Sequence, residues 1–150
     1  MPSRNIEDLH PDLQPICREL LRRCQAANID ILLTCTYRSN EEQNQLYAQG
    51  RTKPGRIVTR AKAGQSAHNN TIQGRPASRA FDVVPLRNGK LIWGTSGNGL
   101  DNDPADDLTD DLELWQRIGQ IGMELGLNWY GKPTAKFREF PHFELAKGYL

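Results

Sequence analysis

Gly64–Asp82 reads GQSAHNNTIQGRPASRAFD, and it closes by entering the apolar run FDVVPL at Phe81. It holds His68, one of three histidines in the chain, and ends on Asp82. A histidine and an acid beside a strand are the kinds of group that hold a catalytic zinc. Such a zinc takes three protein ligands from His and Asp/Glu and keeps a fourth position for water. The third ligand is expected near the C-terminus, at His142 in Glu139-Phe140-Pro141-His142-Phe143.

Working outward, Leu13, Ile16, Cys17, Leu20, Leu21 and Cys24 recur at the spacing of an amphipathic helix. With Pro11 and Pro15 allowed only near its first turn, this helix should run from about Asp12 to Ala27. Ile29–Thr36 is β-rich and reads as the first strand. Ser39 and Glu42 form a capping box that opens a second helix, running to about Gln49 with Gly50 as its stop. Residues 51–79 carry turn formers throughout and no periodicity, and so long an irregular stretch in a compact domain is usually functional or disordered. Phe81–Leu86 and Leu91–Trp93 read as strands joined around Asn88-Gly89, with Pro85 placing the first at an edge or a bulge. A third helix should start near Asp110, capped together with Glu113, and bury Leu112, Trp115, Ile118, Ile121 and Leu125 before Gly126 ends it. Leu127–Tyr130 and Phe140–Leu145 are the remaining strand candidates. This order reads as α+β: a small, mostly antiparallel sheet with about three helices packed on it and the zinc site in a cleft on the sheet.

The chain of 150 residues fits one domain with its own core. Residues 1–10 are expected as a leader, with no length to spare for a separate wall-binding domain. No apolar run approaches the ~20 residues of a spanning helix, and the N-terminus lacks the pattern of a signal peptide. Net charge is only +1, but residues 51–79 are purely basic and residues 101–113 purely acidic in their charges. The basic segment flanks the proposed metal site, where it would face an anionic substrate. It has no aromatic residue for base stacking, which argues against nucleic acid. The acidic run lacks EF-hand spacing and fits the approach to a helix N-terminus better than a calcium site. Cys17, Cys24 and Cys35, an odd count without a CxxC pair, read as buried, reduced core thiols.

Two imidazoles and a carboxylate leave a bound zinc one net positive charge, enough to acidify water toward neutral pH. Glu139, three residues before His142, is the candidate general base. Positions three apart face opposite sides of a regular strand, so the chain has to turn or bulge between Glu139 and His142. Arg38, at the end of the first strand, could stabilise an oxyanion or clamp a carboxylate.

TYRS (36–39), EEQNQLYAQGRT (41–52), GQSAH (64–68), AFDV (80–83), LGLNWYG (125–131) and FREFPHFE (137–144) occur in an order that resembles the LAS-type zinc peptidases of family M15. Within it, the chain looks most like the L-alanyl-D-glutamate peptidases used as phage endolysins. The resemblance implies that His68, Asp82 and His142 hold Zn2+ and that Glu139 and Arg38 are catalytic. Ser66, Arg79 and Gln43 are the expected substrate-binding residues. It implies the hedgehog-N-like peptidase fold and cleavage of peptidoglycan stem peptides, at the L-Ala–D-Glu bond, by a monomer made without a signal peptide. In a phage setting, a separate pore would carry it to the wall. A D-alanyl-D-alanine carboxypeptidase or dipeptidase on the same site is the alternative, with a non-catalytic zinc module further off. His68 and Asp82 stand fourteen apart here, against about seven in the family. The insertion between them is expected to overhang the cleft.

Overall fold

The computed structural model describes residues 2–94, 111–135 and 138–146. Three α-helices, α1 (Gln14–Ala26), α2 (Asn40–Ala48) and α3 (Asp111–Glu124), accompany seven strands, β1 (Asp30–Cys35), β2 (Thr71–Ile72), β3 (Arg75–Pro76), β4 (Ala80–Arg87), β5 (Lys90–Leu91), β6 (Asn128–Trp129) and β7 (His142–Glu144). The main sheet is antiparallel in the order β1-β4-β7-β6, with β5 folded back on the end of β4. β2 and β3 form a separate hairpin.

Alternation along the central strands separates core from site. Phe81 and Val83 of β4 and Phe143 of β7 point to one face and are fully buried, with Phe81 stacked on Phe143 at 5.6 Å between centroids. Leu13, Cys17, Leu20 and Cys24 of the first helical segment and Ile118 of α3 join that core. Each large apolar side chain so buried contributes roughly 1.5–3 kcal/mol. The intervening residues, Asp82 and His142, point to the other face. They are directly opposite one another in the β4–β7 register, next to the Phe81–Phe143 pair.

Most of the expected elements form close to their expected bounds. The Ser39–Glu42 capping box makes both of its bonds, and Asn88 and Gly89, with φ of 53° and 76°, form the β4–β5 turn. Pro85 does not make β4 an edge strand. It lies between the part of β4 paired with β7 and the part paired with β5, so no ladder bond needs the amide hydrogen it lacks. Its carbonyl accepts from Ile92. Leu112 is exposed rather than part of the buried face of α3, which is built from Leu114, Trp115, Ile118, Gly119 and Gly122. The Asp110 cap and residues 101–110 of the acidic run lie outside the described residues.

Two expectations are overturned. Residues 3–10 do not lead into the domain but are part of it. Ser3 exchanges backbone bonds with Thr36 and Tyr37, Asp8 and His10 bracket Ser78, and Leu9 is buried. The insertion between His68 and Asp82, expected to overhang the cleft, contributes no residue to its walls. It pairs with itself as β2 and β3 around Gln73-Gly74, both left-handed. Gln73 is not one of the residues that usually mark a two-residue turn, so the hairpin left little trace in sequence.

Candidate active site

The site lies in a cleft of about 500 Å³ whose walls include Arg38, Arg60, Ser66, His68, Asp82 and Glu139, with Tyr130, His142 and Glu144 beside them. Its centre is a triangle of donor atoms. His68 Nε2 is 3.2 Å from Asp82 Oδ1, His142 Nδ1 is 3.0 Å from the same oxygen, and the two nitrogens are 3.3 Å apart. The far nitrogen of each ring is engaged: His68 Nδ1 with the Thr36 carbonyl at 2.7 Å, His142 Nε2 with Glu144 at 2.9 Å. Such partners take the ring N–H and leave the inner nitrogen with its lone pair. Two lone pairs and a carboxylate oxygen then converge on one point.

This donor set fits zinc. Ligand bonds of ~2.1 Å at tetrahedral angles place the ligating atoms about 3.4 Å apart, close to the separations of the triangle. Cys35 Sγ, His68 and Asp82 form a looser group, with donor atoms within 4.8 Å of one another. The sulfur, however, meets His68 at Nδ1, 3.6 Å away, the nitrogen already engaged with Thr36. Cys35 therefore stands behind the ring. All three cysteines are free and buried, and burial pushes the Cys17 and Cys24 thiols up to about 12 and about 11.

The electrostatics follow from the burial of opposite charges. Burial alone would pull both histidines down, but the Asp82 carboxylate overcomes it and both are raised. Asp82, which burial would raise, is held well below the usual carboxylate range by His68 and His142. The Glu139 carboxyl is raised, chiefly by burial and also by Asp82, against the pull of His142, His68 and Arg38.

Glu139 reaches the site through a turn. Its N–H donates to the Tyr130 carbonyl, and the His142 N–H donates back to the Glu139 carbonyl at 3.2 Å, so the chain reverses at Phe140-Pro141 before β7 begins. Arg38 is fixed by its own backbone, whose N–H donates to the His68 carbonyl, and by Nη1, which donates to Gln43 Oε1 at 2.9 Å. Its Nη2 lies 3.8 Å from Asp82 Oδ2. The Ser66 hydroxyl accepts from the His68 N–H and caps the short helical turn Ala67–Asn69.

Two of the expected substrate-binding residues do not border the cleft. Gln43 is fully buried beneath it, where its amide donates to the Ala61 carbonyl and its oxygen holds Arg38. Arg79 enters β4 with its backbone tied to Ala67 and Leu145 and is absent from the cleft walls. Of the seven cations of the basic segment only Arg60 lines the cleft. Asn69, Tyr130 and Glu144 were not anticipated. Asn69 ties the metal-site turn to the end of β1 by donating to the Arg38 carbonyl. The signal for Glu144 was available: it is two residues from His142 in a strand, hence on the same face.

Comparison with known proteins agrees with this geometry. Residues 6–84 match the model of the family described as VanY: D-alanyl-D-alanine carboxypeptidase. The peptidoglycan L-alanyl-D-glutamate endopeptidase CwlK of Bacillus subtilis (strain 168) is 33% identical over 139 residues, covering 92% of this chain and 74% of the relative. In solved structures, the fold is shared with the L-Ala D-Glu endopeptidase ChiX of Serratia marcescens, with a TM-score of 0.52, 20% identity, and 97% and 89% of the two chains covered. It is also shared with the vancomycin-resistance D,D-pentapeptidase VanY from a VanB-type cassette, solved with Zn(II), with a TM-score of 0.54, 14% identity, and 91% and 72% covered. By class the protein is a zinc metallopeptidase. It belongs to the VanY family, within the LAS-type M15 peptidases.

Proposed function

We propose that this enzyme is an endopeptidase of bacterial peptidoglycan that cuts stem peptides between L-Ala and D-Glu. The observation that carries this reading is the convergence of His68 Nε2, Asp82 Oδ1 and His142 Nδ1 in an open cleft that Glu139 and Arg38 also line. The name of the CwlK relative supports the choice of bond. The description of the matched family favours a second reading, release of D-Ala from the far end of the same peptide.

Zinc on His68, Asp82 and His142 would supply a Lewis acid for the scissile carbonyl and make water acidic enough to attack near neutral pH. The protein's own residues do the rest. Glu139, whose raised carboxyl suits proton transfer, takes a proton from the attacking water and hands it to the departing amine. Arg38, held by Gln43, meets the negative charge that grows on the carbonyl oxygen. Arg60 on the cleft wall attracts the anionic peptide. Ser66 keeps the His68 turn in place. In this reading the enzyme is a monomeric phage endolysin that takes no nucleic acid and reaches the wall through a separate pore.

A synthetic stem peptide tests the assignment. Wild type should release L-Ala, and Glu139→Ala should lose about 10²–10⁴-fold in rate at unchanged zinc content. Release of D-Ala would move the assignment to the carboxypeptidase, and equal rates would remove Glu139 from the mechanism. Turbidity loss of outer-membrane-permeabilised Gram-negative cells, present with wild type and absent with Glu139→Ala, tests the lytic role.

A further inference from the structure

The two imidazoles of the site are held from behind by groups of different kinds. His68 is held by the Thr36 carbonyl, a backbone group that no side-chain substitution removes. His142 is held by the Glu144 carboxylate, which lines the cleft together with Tyr130. The Tyr130 ring packs edge-on against His142, with centroids 4.6 Å apart. Its backbone N–H donates to the His142 carbonyl, so ring and backbone act on the same histidine.

His142 sits between two competing carboxylates. Asp82 Oδ1 is 3.0 Å from Nδ1 and Glu144 Oε1 is 2.9 Å from Nε2. A neutral imidazole has one ring proton to give. Given to Asp82, the proton would occupy the Nδ1 lone pair and close the site to a metal. Given to Glu144, it leaves that lone pair pointing at Asp82 and His68. We infer that Glu144, backed by Tyr130, is a positioning residue that selects the Nε2–H form of His142 and thereby sets the metal affinity of the site. The inference rests on the reading of His68, Asp82 and His142 as metal ligands.

The test is zinc affinity, measured by competition with a chromophoric chelator, alongside thermal unfolding of the metal-free proteins. Glu144→Leu should bind zinc about 10–100-fold more weakly, the usual cost of losing such a partner. Glu144→Gln keeps an acceptor for the Nε2–H and should recover most of that loss. Tyr130→Phe keeps the ring and should lose least. The metal-free melting temperatures separate lost folding from lost affinity. Wild-type affinity in Glu144→Leu overturns the inference, and so does Glu144→Gln if it binds as weakly as Glu144→Leu. Should Glu144→Leu fail to fold, proton NMR of the zinc-loaded wild type decides. A slowly exchanging His142 Nε2–H supports the inference, and its absence overturns it. A wild type that binds no zinc removes the metal reading itself, and this inference with it.

Discussion

Glu139, the proposed base, lines the cleft, and burial raises its carboxyl above the ordinary range. A base works only when ionised, so activity should fall as pH drops through the Glu139 titration. The acid limb is read in kcat/KM against pH with zinc saturating. It should vanish in Glu139→Gln together with most of the rate, and an unchanged limb in that variant would assign it to another group. The proposed ligands set a second pH response in metal-free protein. The folded-state pKa of His68 is raised to about 10, because Asp82 outweighs the cost of burial. Its stabilising contribution is therefore complete below about 6.5 and is lost as pH rises toward the folded value. The melting temperature of chelator-treated protein should accordingly fall between pH 6.5 and 10, with a smaller slope in Asp82→Asn. A flat profile would mean that the His68–Asp82 pair is not formed without metal.

Among the elements, α3 and the β2–β3 hairpin carry opposite expectations. A methyl group on Gly119 would enter the Trp129 ring, and one on Gly122 would enter the Phe143 ring. These glycines let the aromatic face of β6 and β7 lie directly on the helix. The helix gains only ~1 kcal/mol of propensity from alanine, against an overpacking cost of about 1–3 kcal/mol or more. Gly119→Ala and Gly122→Ala should each be destabilising in urea unfolding. Added stability would mean that the helix can retreat. The hairpin, by contrast, contributes nothing to the cleft walls. Its base is already closed by Ala77 N–H donating to the Asn70 carbonyl and Asn70 Nδ2 donating to the Ala77 carbonyl. Replacing Thr71–Pro76 by Asn-Gly should leave zinc content unchanged and KM within about twofold, since loop shortening changes closure entropy only slowly. A lost site would show that the hairpin supports His68.

At the scale of the molecule, the N-terminal segment is a clamp. Ser3 and Thr36 share a backbone bond, and the carbonyl of Thr36 holds His68. Leu9, 1% exposed, belongs to the same core as α1 and β4. Leu9→Ala should cost about 2–5 kcal/mol, and removal of residues 2–9 should lower both urea stability and zinc affinity. A truncated protein with wild-type values for both would return this segment to the role of a leader. Among the described residues no helix is long and apolar enough to cross a membrane.

Much of this was legible in the chain. Helical spacing in Leu13–Cys24, the Ser39–Glu42 box, the Asn88-Gly89 turn and the strand runs are local signals, and local energetics honours them. The proposed ligand and base positions could be named because the chemistry of zinc restricts the residue types, and the fold brings His68, Asp82 and His142 together. The turn at Phe140-Pro141 followed because Glu139 and His142 could not otherwise share a site. What was not legible depends on partners distant in sequence. Residues 3–10 became part of the core through Thr36, Tyr37 and Ser78. Gln43 and Arg79 are absent from the cleft walls because packing buries Gln43 completely and the entry into β4 holds the backbone of Arg79 between Ala67 and Leu145. The pairing of Asp82 with His142 is a matter of strand register, and the engagement of the His68 ring with Thr36 and the His142 ring with Glu144 a matter of which faces meet. The sequence by itself determined the elements and the chemical types at the site. Only the tertiary structure decided which nitrogen of each histidine faces inward, since the Thr36 carbonyl reaches His68 from the end of β1 and Asp82 meets His142 across the β4–β7 ladder.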